Sequence, residues 1–415
     1  MKPSLRKIAT ALSAASILVA PLASAEHIKI AFIDTVTGTF APIAENSFNS
    51  YQMMADIANQ QKWAGDNTIE FVAFDGKGSP QESLRQLKVV IDQGYRYITQ
   101  GLGSGTALAL LDAINKHNER NPGKEIVYFN YGAVDPDLTN YKCSFWHFRF
   151  DANTEMKMEG LTSLIAKDQN VKKVYLINQN YAHGHQVSRA AKEFIKRKRP
   201  DVELVGDDLH PIGQVKDFSP YIAKIKSSGA DTVVTGNWGA DLSLLIKASK
   251  DAGLPVNFYT FYAFFAGTPT AIGAAGADHV KMVADWHRNT DSPAGNAIGD
   301  AFKKKYKTDF VWQSTYSVVA MFSRAVKESK SADPIKVAYA LEGMKLKSFS
   351  GDAEMRKSDH QLQVPLYVTT WTKVNGKDVK YDSENTSYGW KTDQKIESYA
   401  ASQPTSCEMK RPAKT

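Results

Sequence analysis

The chain alternates strand-like and helix-like segments along most of its length, and this alternation restricts its fold more than any other feature. Short apolar runs at 27–33, 68–74 and 97–100 predict strands, and amphipathic runs at 46–60 and 79–93 predict the helices between them. Short connections between such segments are typical of parallel sheets built from right-handed βαβ units. The sequence therefore predicts an α/β protein.

The same pattern starts again after Asp151. The predicted strands of this second half are 173–177, 202–208, 231–235 and 257–261. A chain of 415 residues is also too long for one ordinary hydrophobic core. We therefore expect two similar α/β lobes, followed by a polar segment over 384–415 that lies on the surface as a tail.

The first 25 residues have the composition of a secretory signal peptide. Lys2, Arg6 and Lys7 form a basic start, 8–22 is largely apolar, and a small-residue cleavage site ends at Ala25. The apolar run is shorter than the roughly 20 residues that a membrane span needs. No Cys follows the cleavage site, so a lipid anchor is not indicated. We expect an exported, soluble mature protein that begins at residue 26.

The net charge is small and does not indicate a nucleic-acid partner. The formal charge of +7 falls to +4 when the three basic residues of the leader are removed, and this small charge is spread over a large surface. The basic runs 196–199 and 303–305 lie in helix-like contexts, where solvated faces are expected. The composition therefore does not indicate nucleic-acid binding.

Cys143 and Cys407 are the only two cysteines of the chain. Because an exported protein enters an oxidising compartment, a disulfide between them is expected. It would connect the tail to the middle of the chain. By lowering the entropy of the unfolded chain, such a bond would stabilise the folded state by at most about 5 kcal/mol. Two free thiols are the alternative.

Ligands of open α/β sheets bind beyond the carboxyl ends of the strands, so the loops at these ends supply the candidate binding residues. The candidates of the first half are Phe40, Gly103, Ser104, Gly132 and Ala133, and those of the second half are Tyr181, Asn237, Trp238 and Tyr262.

Two of these loops indicate a particular ligand chemistry. Gly103 and Ser104 open a predicted helix, and bare N–H groups at a helix N-terminus attract an anion such as a carboxylate. An ordinary helix cap is the alternative. Aromatic residues in the loops of the second half suit an apolar or aromatic ligand body, although a single one often serves only packing. They are Tyr181, Trp238, Tyr262, Phe264 and Phe265.

Metal binding and catalysis find no support in the sequence. His183 and His185 could share a metal only with further ligands, and no supporting Asp, Glu or Cys pattern accompanies them. Catalytic signatures, a phosphate-binding loop and a dinucleotide fingerprint are also missing. We therefore expect a binding protein without a cofactor rather than an enzyme.

Several short motifs in a particular order carry a resemblance to a known family. These motifs are Thr37-Gly38, Asp75 followed by Pro80, Ser104 in its Gly-rich turn, Asp135-Pro136-Asp137-Leu138-Thr139, Tyr181 before Gly184, Lys216-Asp217-Phe218, and Gly236 with Ala252-Gly253-Leu254. From Ile28 to about Trp371 the chain resembles the type I periplasmic solute-binding proteins. It looks most like the leucine/isoleucine/valine-binding branch that serves branched-chain amino acid ABC transporters.

The resemblance implies two Rossmann-like, doubly wound parallel-sheet lobes joined by a three-segment hinge, which close on a small solute. The implied lobes are 26–148 with 287–347 and 149–286 with 348–395, and the tail 396–415 follows them. The implied partners are the solute and a permease in the inner membrane, and the implied state is a periplasmic monomer. A ligand-sensing module with the same fold is the alternative function.

Two departures from the family pattern concern the ligand. Family members that bind α-amino acids carry a Thr near the place of Val134 and an acidic residue near the place of Tyr262, and both contact the ammonium group. Burying an ammonium without a partner costs several kcal/mol, on the order of a useful binding energy. We therefore expect a carboxylate or amide without an α-amino group, with Asp241 or Glu45 as alternative ammonium partners.

Overall fold

A computed structural model describes residues 25–414. The predicted signal peptide, except for Ala25, therefore lies outside the described residues. The strands are β1 (His27–Asp34), β2 (Thr68–Asp75), β3 (Tyr97–Gln100), β4 (Val127–Asn130), β5 (His147–Arg149), β6 (Lys173–Gln179), β7 (Glu203–His210), β8 (Thr232–Thr235), β9 (Asn257–Thr260), β10 (Val280–Ala284), β11 (Lys345–Ser348), β12 (Gly351–Met355), β13 (Leu362–Gln363), β14 (Leu366–Lys373) and β15 (Tyr388–Ile396).

Helices connect most of these strands, and local sequence signals mark several of their starts. The helices are α1 (Ala41–Gln60), α2 (Pro80–Asp92), α3 (Ser104–Arg120), α4 (Thr154–Ile165), α5 (Ala182–Lys198), α6 (Ser219–Ser228), α7 (Ala240–Asp251), α8 (Thr268–Ile272), α9 (Pro293–Tyr306), α10 (Gln313–Ser329), α11 (Pro334–Leu341) and α12 (Ser398–Ala401). For example, the Asn153 side chain accepts a hydrogen bond of 2.9 Å from the Met156 N–H and so caps α4. No described helix combines the length and apolar character that crossing a bilayer requires.

The first lobe is built on a five-stranded parallel sheet. Its strand order is β2-β1-β3-β4-β5, and every pairing is parallel. All four residues of β3 and all four of β4 are buried, as expected for parallel strands with helices on both faces. The later helices α9 and α10 return to this lobe and contact α1.

The second lobe is built on a seven-stranded sheet in the order β15-β14-β10-β9-β8-β6-β7. The strands from β6 to β10 are parallel, and β14 and β15 are added antiparallel. Two parallel-sheet lobes confirm the predicted fold class. The prediction that 384–415 is a surface tail was wrong over 388–396, because β15 belongs to this sheet and buries Trp390 and Ile396. Charged residues interrupt the apolar pattern of β15, so the strand is hard to recognise from the sequence.

The chain passes between the two lobes three times. The crossings lie between β5 and α4, between β10 and α9, and between the small sheet β11-β12-β13 and β14. This small antiparallel sheet spans 345–363 and contacts α10 through β11. The lobe boundaries at 148, 286 and 347 remain predictions.

The last residues of the chain return to the first lobe. Cys143 and Cys407 form the predicted disulfide, with 5.6 Å between their Cα atoms. Nearby, the Thr405 hydroxyl donates to the Thr139 carbonyl at 2.8 Å, and the Arg411 side chain donates to Glu342 at 2.9 Å. Because β15 belongs to the second lobe, the disulfide is a further covalent connection between the lobes.

Candidate functional site

A cavity of about 260 Å³, its open mouth included, lies between the lobes, at the carboxyl ends of both sets of parallel strands. The first lobe contributes Gly101, Leu102, Gly103, Ser104, Gly132 and Val134, and the second contributes Tyr181, His183, Trp238, Tyr262 and Phe265. We call this space the cleft cavity. Its position agrees with the general rule for ligand sites in open α/β sheets.

Six of the nine candidate residues line the cleft cavity. They are Gly103, Ser104, Gly132, Tyr181, Trp238 and Tyr262. Phe40 does not line it, but its ring lies 4.1 Å from the ring of Trp238. Ala133 and Asn237 are buried outside the lining, and the Asn237 amide lies 2.8 Å from Nε2 of His210.

The wall of the first lobe consists mainly of small residues. Gly103 has φ of +95°, a conformation that glycine adopts without strain, and α3 begins at the next residue. At Gly101, an added Cβ would lie 2.7 Å from the Tyr131 ring. The N–H groups of Gly101, Leu102 and Gly132 already donate within the first lobe. The N-terminal end of α3 therefore supplies the backbone donors of this wall, and it carries partial positive charge.

Buried Asp34 holds the loops of this wall together. Its carboxylate accepts hydrogen bonds from the N–H groups of Gly101 at 3.0 Å and Leu102 at 3.2 Å. It also accepts one from the Tyr131 hydroxyl at 2.8 Å. Burial raises the pKa of Asp34 to about 6, although these hydrogen bonds lower it. Asp34 thus positions the loops without lining the cavity.

The wall of the second lobe is aromatic. Trp238 Nε1 donates to the Tyr181 hydroxyl at 2.8 Å, so the hydroxyl proton of Tyr181 is left for another acceptor. Tyr262 stacks on Phe265 with 4.7 Å between ring centroids. Burial raises the pKa of both tyrosines, so their hydroxyl groups stay protonated and can donate hydrogen bonds.

His183 lies in the wall as a neutral ring. Burial lowers its pKa to about 3, and its Nε2 lies 3.2 Å from the Gly236 carbonyl. Because a carbonyl only accepts, Nε2 carries the proton. His185, by contrast, is exposed and contacts the Asn180 side chain. Within residues 25–414, no group of three or more His, Cys, Asp or Glu residues is arranged to hold a metal ion.

An ion pair is buried directly behind Tyr262. Lys157 Nζ lies 2.8 Å from an Asp151 oxygen, with both side chains almost inaccessible, and it stands 4.7 Å from the centre of the Tyr262 ring. The Tyr262 hydroxyl is 3.5 Å from Asp151 and 3.4 Å from the Gly132 carbonyl. The Asp151 carboxylate is thus already paired with a cation.

The other two carboxylates considered for an ammonium lie elsewhere. Asp241 accepts hydrogen bonds from the Gln179 side chain at 2.7 Å and from the Gly213 N–H at 2.8 Å, and Glu45 is exposed. Neither lines the cleft cavity, and no acidic residue appears in its described lining.

Leu102, Val134 and His183 were not among the predicted ligand residues, although all three line the cavity. Phe265, which was predicted as part of an aromatic ligand wall, lines it too. Which side chain of a loop faces the cleft depends on the local backbone, and the sequence pattern carries little information about it. His183 is the clearest example, since only its position in the folded chain shows that it belongs to the wall.

Comparison with known proteins shows the family. The model of a family described as "Periplasmic binding protein" matches residues 27–378. The chain belongs to this family. It is 32% identical over 413 residues to Leu/Ile/Val-binding protein homolog 4 of Brucella abortus, with 97% of each chain covered. This confirms the predicted resemblance to the leucine/isoleucine/valine-binding proteins.

Solved structures of similar proteins have the same fold as this chain. The leucine-, isoleucine-, valine-, threonine- and alanine-binding protein of Brucella ovis, in a closed conformation, has a TM-score of 0.84 at 30% identity, covering 94% of this chain and 100% of its own. A solute-binding protein of R. palustris in complex with benzoate has a TM-score of 0.74 at 19% identity, covering 83% and 93%. This chain is a solute-binding component of the branched-chain amino acid ABC transporter family, and it is not an enzyme.

Proposed function

We propose that this periplasmic binding protein captures a small carboxylate with an aromatic or apolar body and delivers it to an inner-membrane permease. The proposed contact surface consists of the six candidate residues that line the cleft cavity, with Leu102, Val134, His183 and Phe265 added. Phe40, Ala133 and Asn237 are proposed to position these residues from outside the lining. The protein is expected to act as a monomer after cleavage behind Ala25, and a mass spectrum of the exported form should show Glu26 as its first residue.

The observation that carries the proposal is the polarity of the cleft cavity. It presents hydrogen-bond donors without an acidic partner. The Tyr181 hydroxyl accepts a hydrogen bond from Trp238, and the Ser104 hydroxyl accepts one from the Asp135 N–H at 3.3 Å. The proton of each hydroxyl is therefore available to donate to a ligand. Together with the N-terminal end of α3, these groups suit a carboxylate.

The same polarity argues against an ammonium group. An α-amino acid would bring its ammonium into a cavity whose described lining has no carboxylate. Asp151 lies behind Tyr262 and is paired with Lys157. A buried ammonium without a partner costs several kcal/mol, which would remove most of the binding energy of a micromolar ligand, about 8 kcal/mol.

Similar proteins supply two ligand classes for comparison. The Brucella ovis protein binds aliphatic amino acids by its description. Two R. palustris proteins were solved with benzoate and with 4-hydroxybenzoate. The aromatic wall and the missing acidic residue favour the second class for this chain.

Capture requires the two lobes to come together. The Phe40 ring of the first lobe contacts Trp238 of the second, and the Tyr262 hydroxyl reaches the Gly132 carbonyl across the cleft at 3.4 Å. A solute that contacts both walls stabilises the closed arrangement over the open one. The permease would then recognise the closed lobes.

A thermal-shift screen of the mature protein tests the proposal. It should compare benzoate, 4-hydroxybenzoate, short-chain carboxylates, leucine and valine. A ligand at about 100 times its dissociation constant stabilises the folded state by about 2.7 kcal/mol, which raises the melting temperature measurably. We expect the aromatic acids to act and the amino acids to have no effect. A strong shift with leucine or valine and none with the acids would overturn the proposed ligand class.

A further inference from the structure

A second cavity lies between the lobes, on the other side of an aromatic partition. It encloses about 490 Å³, its open mouth included. Phe264 lines this second cavity, whereas its neighbour Phe265 lines the cleft cavity. The Trp312 ring packs against both, 6.2 Å from the Phe264 ring and 4.8 Å from the Phe265 ring, and these two rings are 4.9 Å apart. The two spaces are therefore adjacent but separate.

Five buried polar atoms belong to residues that line the second cavity and have no hydrogen-bond partner among the described residues. All but one of these residues are at most 5% exposed, the exception being Arg288; the atoms are Asn46 Oδ1, Trp286 Nε1, His287 Nδ1, Arg288 Nε and Trp390 Nε1. An unpaired buried polar atom costs about 1–3 kcal/mol. Five such atoms around one cavity indicate a site that a polar ligand group completes.

The charged residues in the lining already have partners. Arg288 pairs with Asp300 at 2.6 Å, and Asp309 pairs with Lys303 at 3.0 Å. The Glu384 carboxylate accepts from the Gly267 N–H at 2.6 Å and from the N–H and hydroxyl of Thr270, so both of its oxygens are occupied. An anion would therefore find no unpaired cation here and a cation no free carboxylate oxygen, whereas a neutral ligand needs neither.

The unpaired atoms and the walls define the ligand further. Indole nitrogen only donates and the Asn46 oxygen only accepts, so a fitting ligand carries both an acceptor and a donor. Burial lowers the pKa of His287 to about 3, so this ring is neutral and adds no charge. Phe264, Phe310 and Trp390 supply aromatic walls, which suit a planar ring.

Both lobes build the second cavity. Asn46 and Asp309 belong to the first lobe, and Phe264, Glu384 and Trp390 to the second. The Glu384 N–H donates to the Asp309 carboxylate at 2.6 Å and joins the two sides. Because the lining is complete only while the lobes are together, a ligand bound there favours the same closed arrangement as a solute in the cleft.

We propose that the second cavity is a binding site for a small neutral aromatic amide or alcohol, coupled positively to the cleft through lobe closure. The binding part of the proposal does not depend on the identity of the cleft solute. The coupling part rests on the proposed function, because it requires a cleft ligand. By linkage, each ligand must raise the affinity of the other by the same factor.

Titration calorimetry of the mature protein with benzamide, and with phenol as a second probe, tests the binding part. The variant Ala266→Trp fills the cavity and should weaken benzamide binding more than tenfold. Trp390→Phe keeps an aromatic ring but removes the indole donor, and the loss of one hydrogen bond should weaken binding about fivefold. Ser104→Ala lies in the cleft wall, where the Ser104 hydroxyl accepts from the Asp135 N–H of the same lobe, and it should leave benzamide binding unchanged within twofold. Circular dichroism and the melting temperature check the fold of each variant.

The outcomes separate this site from the cleft. No benzamide or phenol binding to the wild-type protein, as expected for a cavity that only holds water, overturns the proposal. Binding that Ser104→Ala weakens and Ala266→Trp preserves also overturns it, because the probe would then sit in the cleft. Saturating benzamide should raise benzoate affinity severalfold, and an unchanged value would refute the coupling. If no carboxylate binds at all, the proposed function fails, while the benzamide titration still decides on the second site.

Discussion

The two walls of the cleft differ in the kind of contact that each can make. The first lobe offers glycines, Ser104 and the start of α3, whereas the second lobe offers four aromatic rings in Tyr181, Trp238, Tyr262 and Phe265. Bare backbone and a hydroxyl suit the charged end of a solute, and aromatic rings bury its apolar body. The comparison suggests that the first lobe selects the head group and the second selects the body.

The largest effect is expected from a charge placed in the aromatic wall. Tyr262→Glu would bring a second carboxylate close to Asp151, and a buried unpaired charge costs several kcal/mol. Benzoate affinity should fall about 100-fold or more, and leucine should gain affinity, most clearly together with Val134→Thr. Calorimetry with benzoate and with leucine measures the loss of one affinity and the gain of the other. Tyr262→Gln is the uncharged control and should not gain leucine binding; a gain there would show that charge is not the cause.

Removing an aromatic ring should have the next largest effect. Central aromatic contacts are worth about 2 kcal/mol or more on truncation, so Trp238→Ala should weaken benzoate about 30-fold while the protein stays folded. Tyr399→Ala is the matched control, because that ring is 82% exposed on α12. An affinity within twofold of the wild type would remove Trp238 from the ligand wall.

A smaller effect is expected at the head-group wall. Ser104→Ala removes one hydroxyl donor to the carboxylate, and a hydrogen bond to a charged group is worth about 1.5 kcal/mol or more, so benzoate should bind about tenfold more weakly. Ser79 caps α2 outside the cleft by accepting from the Glu82 N–H. Ser79→Ala should therefore lower stability without changing affinity. Equal losses of affinity in both variants would contradict a specific role of Ser104.

The smallest effect on affinity is expected at His183, which should act mainly on stability. Its pKa is about 3 in the folded state and about 6.5 when unfolded. Below about pH 6.5 the unfolded chain therefore binds a proton at this residue, whereas the folded protein does not bind it until about pH 3. The free energy of unfolding should fall as the pH drops from 6.5 towards 3, by up to about 1.4 kcal/mol per pH unit. His183→Asn should flatten this decline in melting curves between pH 7 and 4. A decline as steep as that of the wild type would show that His183 is not its source.

The predicted strands of both halves agree closely with the structure, because apolar periodicity is a local property. The predicted strand 68–74 is β2 at Thr68–Asp75, and 257–261 is β9 at Asn257–Thr260. The site was harder to predict. Asn237 and Trp238 are adjacent, but only Trp238 lines the cleft cavity. Neighbouring side chains at a strand end point in different directions, and the sequence does not state which one faces the ligand.

By itself, the sequence determined the two α/β halves, the disulfide and the loops from which a ligand site can be built, because these follow from periodicity, cysteine count and strand direction. The tertiary structure alone decided which side chains meet. The contact of Phe40 with Trp238 and the second cavity between Asn46 and Trp390 depend on the approach of the two lobes. The Lys157–Asp151 pair behind Tyr262 depends on packing within the second lobe. Most of these partners are far apart along the chain, and local sequence patterns cannot encode the packing that joins them.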